Sequence, residues 1–338
     1  MSSIIVSFNG RLIRVPAGET LVNAGLLGGI VVPHDCMTGQ CDTCRVSVLG
    51  GDIDAQGTRE GNTVLACQAI AMSDATIAFE EIPGVSKWTG QIESLTPMAG
   101  AVWEVIVSLR NRIPYLPGQY VYAAFGAFPE RAYSPTIGID AFADEMKVVF
   151  HIREYPGGEV SSHFGGKIKV GTRVLIRGPY GHAFLRRGEN RLIFVSNGTG
   201  WAPVWAMALA SRLSQPERDM IIVTGARSVE RLYMAPALHW LRQNGAKNII
   251  VTAGDGDSDE IKRGYPSDYI PALRATDTVY VAGSKSLVDA VKSRAVTAGA
   301  ACYCDAFTPA VRPPGFGAKI ARLFGFSAEP AKGERIAH

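Results

Sequence analysis

The chain has 338 residues, enough for two or three domains, and its 47 % hydrophobic and 19 % charged residues exclude a largely disordered protein. Thirty-seven glycines and nineteen prolines imply many turns and short elements and argue against a long helical bundle, and no run of 18 uninterrupted apolar residues offers a membrane-spanning helix. The net charge of +3 is uneven: residues 1–85 hold four arginines, no lysine and nine acidic residues, a net of −5, which leaves +8 on residues 86–338. Such polarity suits an acidic module docked on a basic one, within the chain or on a partner, or else a solvated surface of uneven charge.

In chain order, the first part has short apolar runs of β type at Ile4–Phe8, Arg11–Val15, Arg45–Leu49 and Thr76–Phe79, with a helix at Leu21–Leu27 behind Thr20 as N-cap. From Trp88 onward, Gln91–Leu95, Val102–Leu109, Tyr120–Ala124, Lys147–Ile152 and Arg173–Arg177 alternate apolar and polar residues between Pro and Gly turns, the pattern of a small barrel. Near Leu192 the character changes. Buried-type runs at Leu192–Ser196, Met220–Thr224, Asn248–Ala253 and Thr278–Val281 alternate with helical stretches at Ala202–Ser214, Ala237–Asn244 and Ser286–Ala298, which predicts a parallel sheet in a doubly wound domain. The reading gives domains at 1–85, 86–188 and 189–309 and a tail at 310–338. The N-terminus, Met1-Ser2-Ser3-Ile4, has neither a basic nor an apolar export region, so a cytoplasmic protein is expected.

The six cysteines are too few for a disulfide scaffold, and their spacing carries the information. Cys36-x4-Cys41-x2-Cys44, followed after 22 residues by Cys67, is the spacing of a plant-type [2Fe–2S] ligand set, in which a tight loop supplies three thiolates and a returning segment the fourth. Gly39 lets that loop fold closely around the inorganic sulfides. Four-thiolate zinc is the rival reading, although zinc sites favour paired C-x2-C knuckles. Cys302 and Cys304 are read as packing residues.

His34-Asp35-Cys36 through Arg45, with Val64-Leu65-Ala66-Cys67-Gln68, resembles the ferredoxin domain of the reductase components of bacterial ring-hydroxylating dioxygenases and monooxygenases; Asp42 departs from the small residue usual after the second cysteine. Two further segments resemble the same family. Arg131-Ala132-Tyr133-Ser134, then His151-Ile152-Arg153 and Gly157-Gly158-Glu159-Val160-Ser161, are similar to the flavin motifs of ferredoxin–NADP reductase-like barrels. By that resemblance Tyr133 and Ser134 are the catalytic pair, Tyr133 stacking on the isoalloxazine and Ser134 bonding near its N5. Arg131 pairs with the pyrophosphate of FAD, Ser161 opens a helix toward the same phosphates, and His151, Ile152, Arg153, Gly158 and Val160 line the cofactor. Gly198-Thr199-Gly200-Trp201-Ala202-Pro203 follows a buried strand and opens a helix, the context of a pyrophosphate loop, and is similar to the family's G-T-G-x-A-P segment; Gly198, Thr199, Gly200 and Pro203 are its nucleotide residues. Arg227, in Thr224-Gly225-Ala226-Arg227-Ser228, and Leu232-Tyr233 match its ribose segment, Gly283 stands in the Cys-Gly-x-Pro position as Ala282-Gly283-Ser284, and Phe307 resembles the terminal aromatic that covers the flavin.

The resemblance implies a β-grasp [2Fe–2S] ferredoxin domain, a six-stranded antiparallel FAD-binding barrel and a doubly wound NAD(P)-binding domain. The expected activity is electron transfer from NADH, with NADPH as the alternative because Arg227 and Arg231 suit a 2′-phosphate, through FAD and the cluster to an oxygenase component (Rieske or di-iron) or a separate ferredoxin. Neither a nucleic acid nor a membrane is an expected partner. A stand-alone diaphorase and a redox-sensing binding protein are the rival functions.

Overall fold

The computed structural model describes residues 3–34, 37–39, 43–81, 83–141 and 143–307, and residues up to Phe307 form one compact unit. Cys36, Cys41, Asp42 and the tail at 310–338 lie outside the described residues.

Three sheets succeed one another. The first has five strands in the order Arg11–Pro16, Ser3–Phe8, Ala75–Ala78, Arg45–Gly50, Thr63–Leu65. Ser3–Phe8 runs parallel to Ala75–Ala78, and the other neighbours are antiparallel, the mixed pairing of a β-grasp. Helix Leu21–Leu27 crosses one face, capped where the Thr20 hydroxyl accepts the Asn23 N–H. Its buried Leu21 and Val22 join Val6, Phe8, Val46, Val64 and Ile77 in a core that gathers only residues of this first region.

The second sheet has six antiparallel strands in the order Arg131–Tyr133, Tyr120–Phe125, Arg173–Tyr180, Ser86–Met98, Val102–Leu109, Lys147–Arg153. It curls into a half-barrel whose two outer strands approach where the Thr136 N–H donates to the Val149 carbonyl. Alternation decides what fills it: Val148, Phe150 and Ile152 face inward with Val105, Val121 and Phe125.

The third sheet is wholly parallel, in the order Ile261–Arg263, Asn248–Ala253, Met220–Ala226, Leu192–Asn197, Thr278–Ser284, Ala301–Phe307. Helices Trp201–Ser214, Ala235–Gln243 and Lys285–Ala298 cover it. The order reverses between Leu192–Asn197 and Thr278–Ser284, and ligands of doubly wound sheets bind beyond the carboxyl ends of strands at such a reversal.

Several expected elements differ from those observed. Ser161 opens only a three-residue 3-10 turn, Ser161–His163, too short to offer a helical N-terminus. Ala301–Phe307, absent from the sequence reading, is the outermost strand of the nucleotide-binding sheet, and it carries both Asp305 and Phe307. Cys302 and Cys304 sit two apart on that strand, half-buried, with their sulfurs 3.7 Å from each other.

Candidate functional site

Two of the four spaced cysteines are described, and both are buried: Cys44 at 2 % exposure and Cys67 at 5 %. They belong to adjoining backbone, since the Ala66 N–H donates to the Cys44 carbonyl at 2.9 Å. Gln68 ties the cysteine loop to the returning segment. Its Nε2 donates to the Met37 carbonyl at 3.1 Å and lies 3.5 Å from the Cys67 sulfur. A side chain at Gly39, whose φ is +77°, would press on Gln68 at 3.2 Å. A glycine there gives the loop its left-handed turn and its close approach to Gln68. Two buried thiols beside the left-handed turn at Gly39 and the Gln68 amide fit an iron–sulfur cluster.

On the barrel, pairing of Arg131–Tyr133 with Tyr120–Phe125 sets Tyr133 edge-on to Phe125, with ring centroids 5.8 Å apart, and at the same distance from Phe150. Burial pushes its phenol well above the ordinary range, so the hydroxyl stays protonated. Arg131 reaches across to Glu159 at 2.5 Å and thereby draws the two flavin motifs together. A side chain on Gly158 would collide with the Ser161 hydroxyl at 2.6 Å, so glycine keeps that turn tight. Val160 is buried below it. A half-buried guanidinium that donates to the Glu130 carbonyl and to the more exposed Glu159 carboxylate, beside a glycine turn, fits a flavin pyrophosphate, which binds such a fork more strongly.

Strand Lys147–Arg153 splits its residues between two surroundings. Ile152 points into the barrel, whereas His151 points to the seam with the nucleotide-binding sheet, where its Nε2 lies 3.4 Å from Glu104 Oε2 and its ring meets Tyr233 edge-on at 5.3 Å. Strand alternation thus turns the His151 side chain into the seam, away from the barrel interior that Ile152 enters. Its neighbour Glu104, accepting the Ile139 N–H, is held below the usual carboxylate range; burial opposes this, and the adjacent His151 imidazole and the Ile139 N–H outweigh it. Tyr233 is correspondingly not open to a ribose. It is buried, and its hydroxyl has no partner among the described residues.

The glycines at the reversal of strand order allow one strand end to lie on the other. A Cβ on Gly200 would come within 2.2 Å of the Ala282 carbonyl oxygen, and one on Gly283, at φ +137°, within 2.1 Å of Asn197 Oδ1. Asn197 cross-links the two ends, accepting the Ser284 N–H and donating to the Ser284 hydroxyl, both at 2.9 Å. Around Gly198 the space is open; its nearest neighbour is the Arg153 guanidinium, 3.9 Å from where a Cβ would stand. Thr199 completes the turn, and helix Trp201–Ser214 follows with buried Pro203 in its first turn. A bare backbone loop at a helix N-terminus with an arginine overhead fits a nucleotide phosphate.

Barrel and nucleotide-binding sheet meet at this place. Ser134, 7 % exposed, donates its hydroxyl to Asp305 Oδ2 at 3.3 Å, and Thr136 donates to the Ala202 carbonyl at 2.7 Å. Phe307 ends the same outer strand, opposite Ser284 and 36 % exposed. Arg227 is exposed beyond strand Met220–Ala226, and Arg231 is half-buried.

Comparison with known proteins fits this geometry region by region. Residues 6–72 match the 2Fe-2S iron-sulfur cluster binding domain, 105–184 the oxidoreductase FAD-binding domain and 194–293 the oxidoreductase NAD-binding domain. The reductase component of the naphthalene 1,2-dioxygenase system of Pseudomonas putida is 27 % identical over 90 % of this chain and 98 % of its own. Along most of its length the chain is therefore similar to reductase components of multicomponent oxygenases, and it carries the iron–sulfur, FAD-binding and NAD-binding domains in that order. Another relative is the xylene/toluene monooxygenase electron transfer component of Pseudomonas putida, 27 % identical over 93 % of this chain and 95 % of that one. Among solved structures, an Amycolatopsis cytochrome P450 reductase superposes with a TM-score of 0.66 at 25 % identity, covering 90 % of this chain and 99 % of that one. The ferredoxin reductase of carbazole 1,9a-dioxygenase gives 0.62 at 22 % over 91 % and 99 %, a likeness of fold.

With these domains the chain is an oxidoreductase, and the three fit electron flow from NAD(P)H through FAD to the cluster. The residue that motif reading missed at its centre is Asp305. Desolvation pushes its carboxyl up to about 6, only partly offset by the Ser134 hydroxyl. The signal available was its place beside the terminal aromatic, two residues before Phe307. Gln68, at the end of the second cysteine segment, and Asn197, directly before the glycine loop, are likewise positions to which the motifs assign no role.

Proposed function

We propose that this reductase takes electrons from NADH and delivers them, from a cluster held by Cys36, Cys41, Cys44 and Cys67, to an oxygenase component that hydroxylates an aromatic substrate, or to a separate ferredoxin serving it. The observation that supports this most is the convergence of the two flavin motifs, the glycine loop and the outer strand on one junction, through Ser134–Asp305 and Arg153–Gly198.

FAD, when bound, supplies the conversion between a two-electron hydride donor and a one-electron acceptor. The chain's own residues divide the remaining work. Arg131, released from Glu159, holds the flavin pyrophosphate, while Gly158, Val160 and Ser161 shape the turn beneath it. Tyr133 presents a flat, uncharged ring. Ser134, itself buried, keeps a proton on its hydroxyl and directs it to half-buried Asp305, so that a polar hydrogen stands at the junction. Gly198, Thr199 and Gly200 offer backbone amides to the nucleotide phosphates. Phe307 covers the exposed side. The limits 1–85, 86–188 and 189–309 belong to the same proposal, as does a cytoplasmic place of work; no helix among the described residues is long and apolar enough to cross a membrane.

The test uses two acceptors. Cys44→Ser should remove the cluster, keep the FAD, abolish most reduction of cytochrome c and spare that of ferricyanide, a small anion able to draw electrons from flavin directly. Retention of cytochrome c reduction at the full rate would show that the cluster lies off the path and would favour the stand-alone diaphorase.

A further inference from the structure

The iron–sulfur region shares no hydrophobic cluster with the other two sheets among the described residues. It is tied to them instead through charge. Glu60 accepts from Lys292, on helix Lys285–Ala298, at 2.9 Å, and Glu80 accepts from Arg186 at 2.7 Å. Arg186, on the segment between the barrel and strand Leu192–Asn197, is built as a receptor. Its Nε and Nη2 both meet Glu80 Oε2, and its Nη1 donates to the His182 and Phe184 carbonyls at 3.0 Å. The guanidinium lies 3.7 Å above the centroid of the Tyr303 ring and 4.1 Å from that of Phe184. Its backbone is fixed as well, the N–H donating to the Tyr280 hydroxyl and the carbonyl accepting from buried Arg218. The arginine side chain is 14 % exposed and Glu80 47 %, so the half of the pair that can leave is the glutamate. Tyr303 and Asp305 stand two apart on strand Ala301–Phe307 and therefore on one face: the first carries Arg186, the second meets Ser134 beside the flavin site.

We propose that Arg186 is the positioning residue that seats the iron–sulfur region, through Glu80, on the strand that also borders the flavin site. Release of this seat governs how fast electrons pass, one at a time, from reduced flavin to oxidised cluster. The second part rests on the electron path proposed above; the first does not. A seat held by charge loosens with salt, because the Debye length falls from about 10 Å at 0.1 M to about 3 Å at 1 M.

Full-length, cofactor-loaded protein is compared with Glu80→Gln and Glu80→Arg, two changes in the exposed half of the pair that leave Arg186 and its packing intact. Small-angle scattering should show wild type more compact at 0.05 M salt than at 0.5 M, with Glu80→Gln more extended than wild type at 0.05 M and Glu80→Arg, which adds repulsion to the loss of one of the two pairs, more extended still. Protease should cut the segment between Glu80 and Ser86 faster in the variants by roughly three- to tenfold at low salt. In stopped flow, flavin reduction by NADH should be unchanged, while cluster reduction should slow by a similar factor in Glu80→Gln and more in Glu80→Arg. Identical scattering and cleavage for wild type and Glu80→Arg would overturn the seat. Extension without any change in cluster reduction would overturn its effect on electron transfer. A wild-type cluster that NADH never reduces would sink the electron path itself and leave the seat to be judged by scattering.

Discussion

Asp305 gives up most of its water and gains one hydroxyl donor in return, and the imbalance can be measured. The ordinary value of 3.8 rises to about 6 in the fold, with desolvation as the cause and the Ser134 bond opposing it. A shift of roughly two pH units, at about 1.4 kcal/mol each, amounts to no more than about 3 kcal/mol at neutral pH. That is an upper figure, because the residue keeps part of its surface in water. The sign follows from the direction of the shift. A carboxyl whose folded value lies above its unfolded one favours the fold while protonated, so its contribution is fully present below about pH 4. It is lost as pH rises through about 6 and is constant beyond. Asp305→Asn stays neutral throughout and can still accept from Ser134. The variant should therefore be more stable than wild type by an amount about 1 kcal/mol larger at pH 7 than at pH 5, a shift of a few degrees in melting temperature. Three of the five tryptophans, Trp201, Trp205 and Trp240, lie in the nucleotide-binding region, so tryptophan fluorescence during thermal unfolding reports mainly on the part that holds Asp305. A difference between the two proteins that is the same at pH 5, 6, 7 and 8, or a variant less stable at pH 8, would refute the assignment of a buried, reluctantly charged carboxylate.

Gly283→Ala should cut flavin reduction by NAD(P)H at least about tenfold with FAD and iron contents unchanged, since its Cβ would strike Asn197 at 2.1 Å in a backbone conformation that suits glycine; stopped-flow flavin bleaching reads this. Gln68→Ala should leave the fold intact and speed loss of the visible iron–sulfur spectrum under a chelator, because the bond from Nε2 to the Met37 carbonyl goes with it. Arg131→Ala should weaken FAD retention by roughly 10- to 150-fold, the range of about 1.5–3 kcal/mol for a charge-assisted bond, as equilibrium titration of the flavin-stripped protein would show. NADH should give a higher kcat/KM than NADPH; a steady-state comparison with the opposite result would place Arg227 or Arg231 on the 2′-phosphate, and Arg231→Asp should then restore NADH preference.

Signals that live in local chain geometry were readable from the residues. Leu21–Leu27 with its Thr20 cap, Val102–Leu109 and Asn248–Ala253 stand where periodicity and capping place them, because each is decided by neighbours three or four residues away or by simple alternation. Short pairings escaped. Thr63–Leu65, Ile70–Ala71 and Ile261–Arg263 are strands of two or three residues whose existence depends on a distant partner, and no local pattern announces one. The outer strand Ala301–Phe307 escaped for another reason: its sequence, Ala-Cys-Tyr-Cys-Asp-Ala-Phe, lacks the solid apolar run of the central strands because neighbours cover it on one edge only.

The same logic separates the parts of the site. Motifs name residues whose backbone or charge meets a cofactor, and the cysteine spacing, the glycine loop and Arg-x-Tyr-Ser are of that kind. What a motif does not encode is which side of a strand faces a neighbouring domain. His151 and Tyr233 belong to recognisable segments, yet the docking of barrel on nucleotide-binding sheet turns both into the seam. Asp305 and Arg186 follow the converse course: neither carries a motif assignment, and both acquire a role only because an outer strand brings Tyr303 under one and Ser134 against the other. The uneven charge noted at the outset has its physical expression there too. Glu60 and Glu80 of the acidic first region meet Lys292 and Arg186 of the basic remainder, so the polarity that composition displays is expressed, at these two half-exposed pairs, as contacts between the regions, which the proposed seat would use.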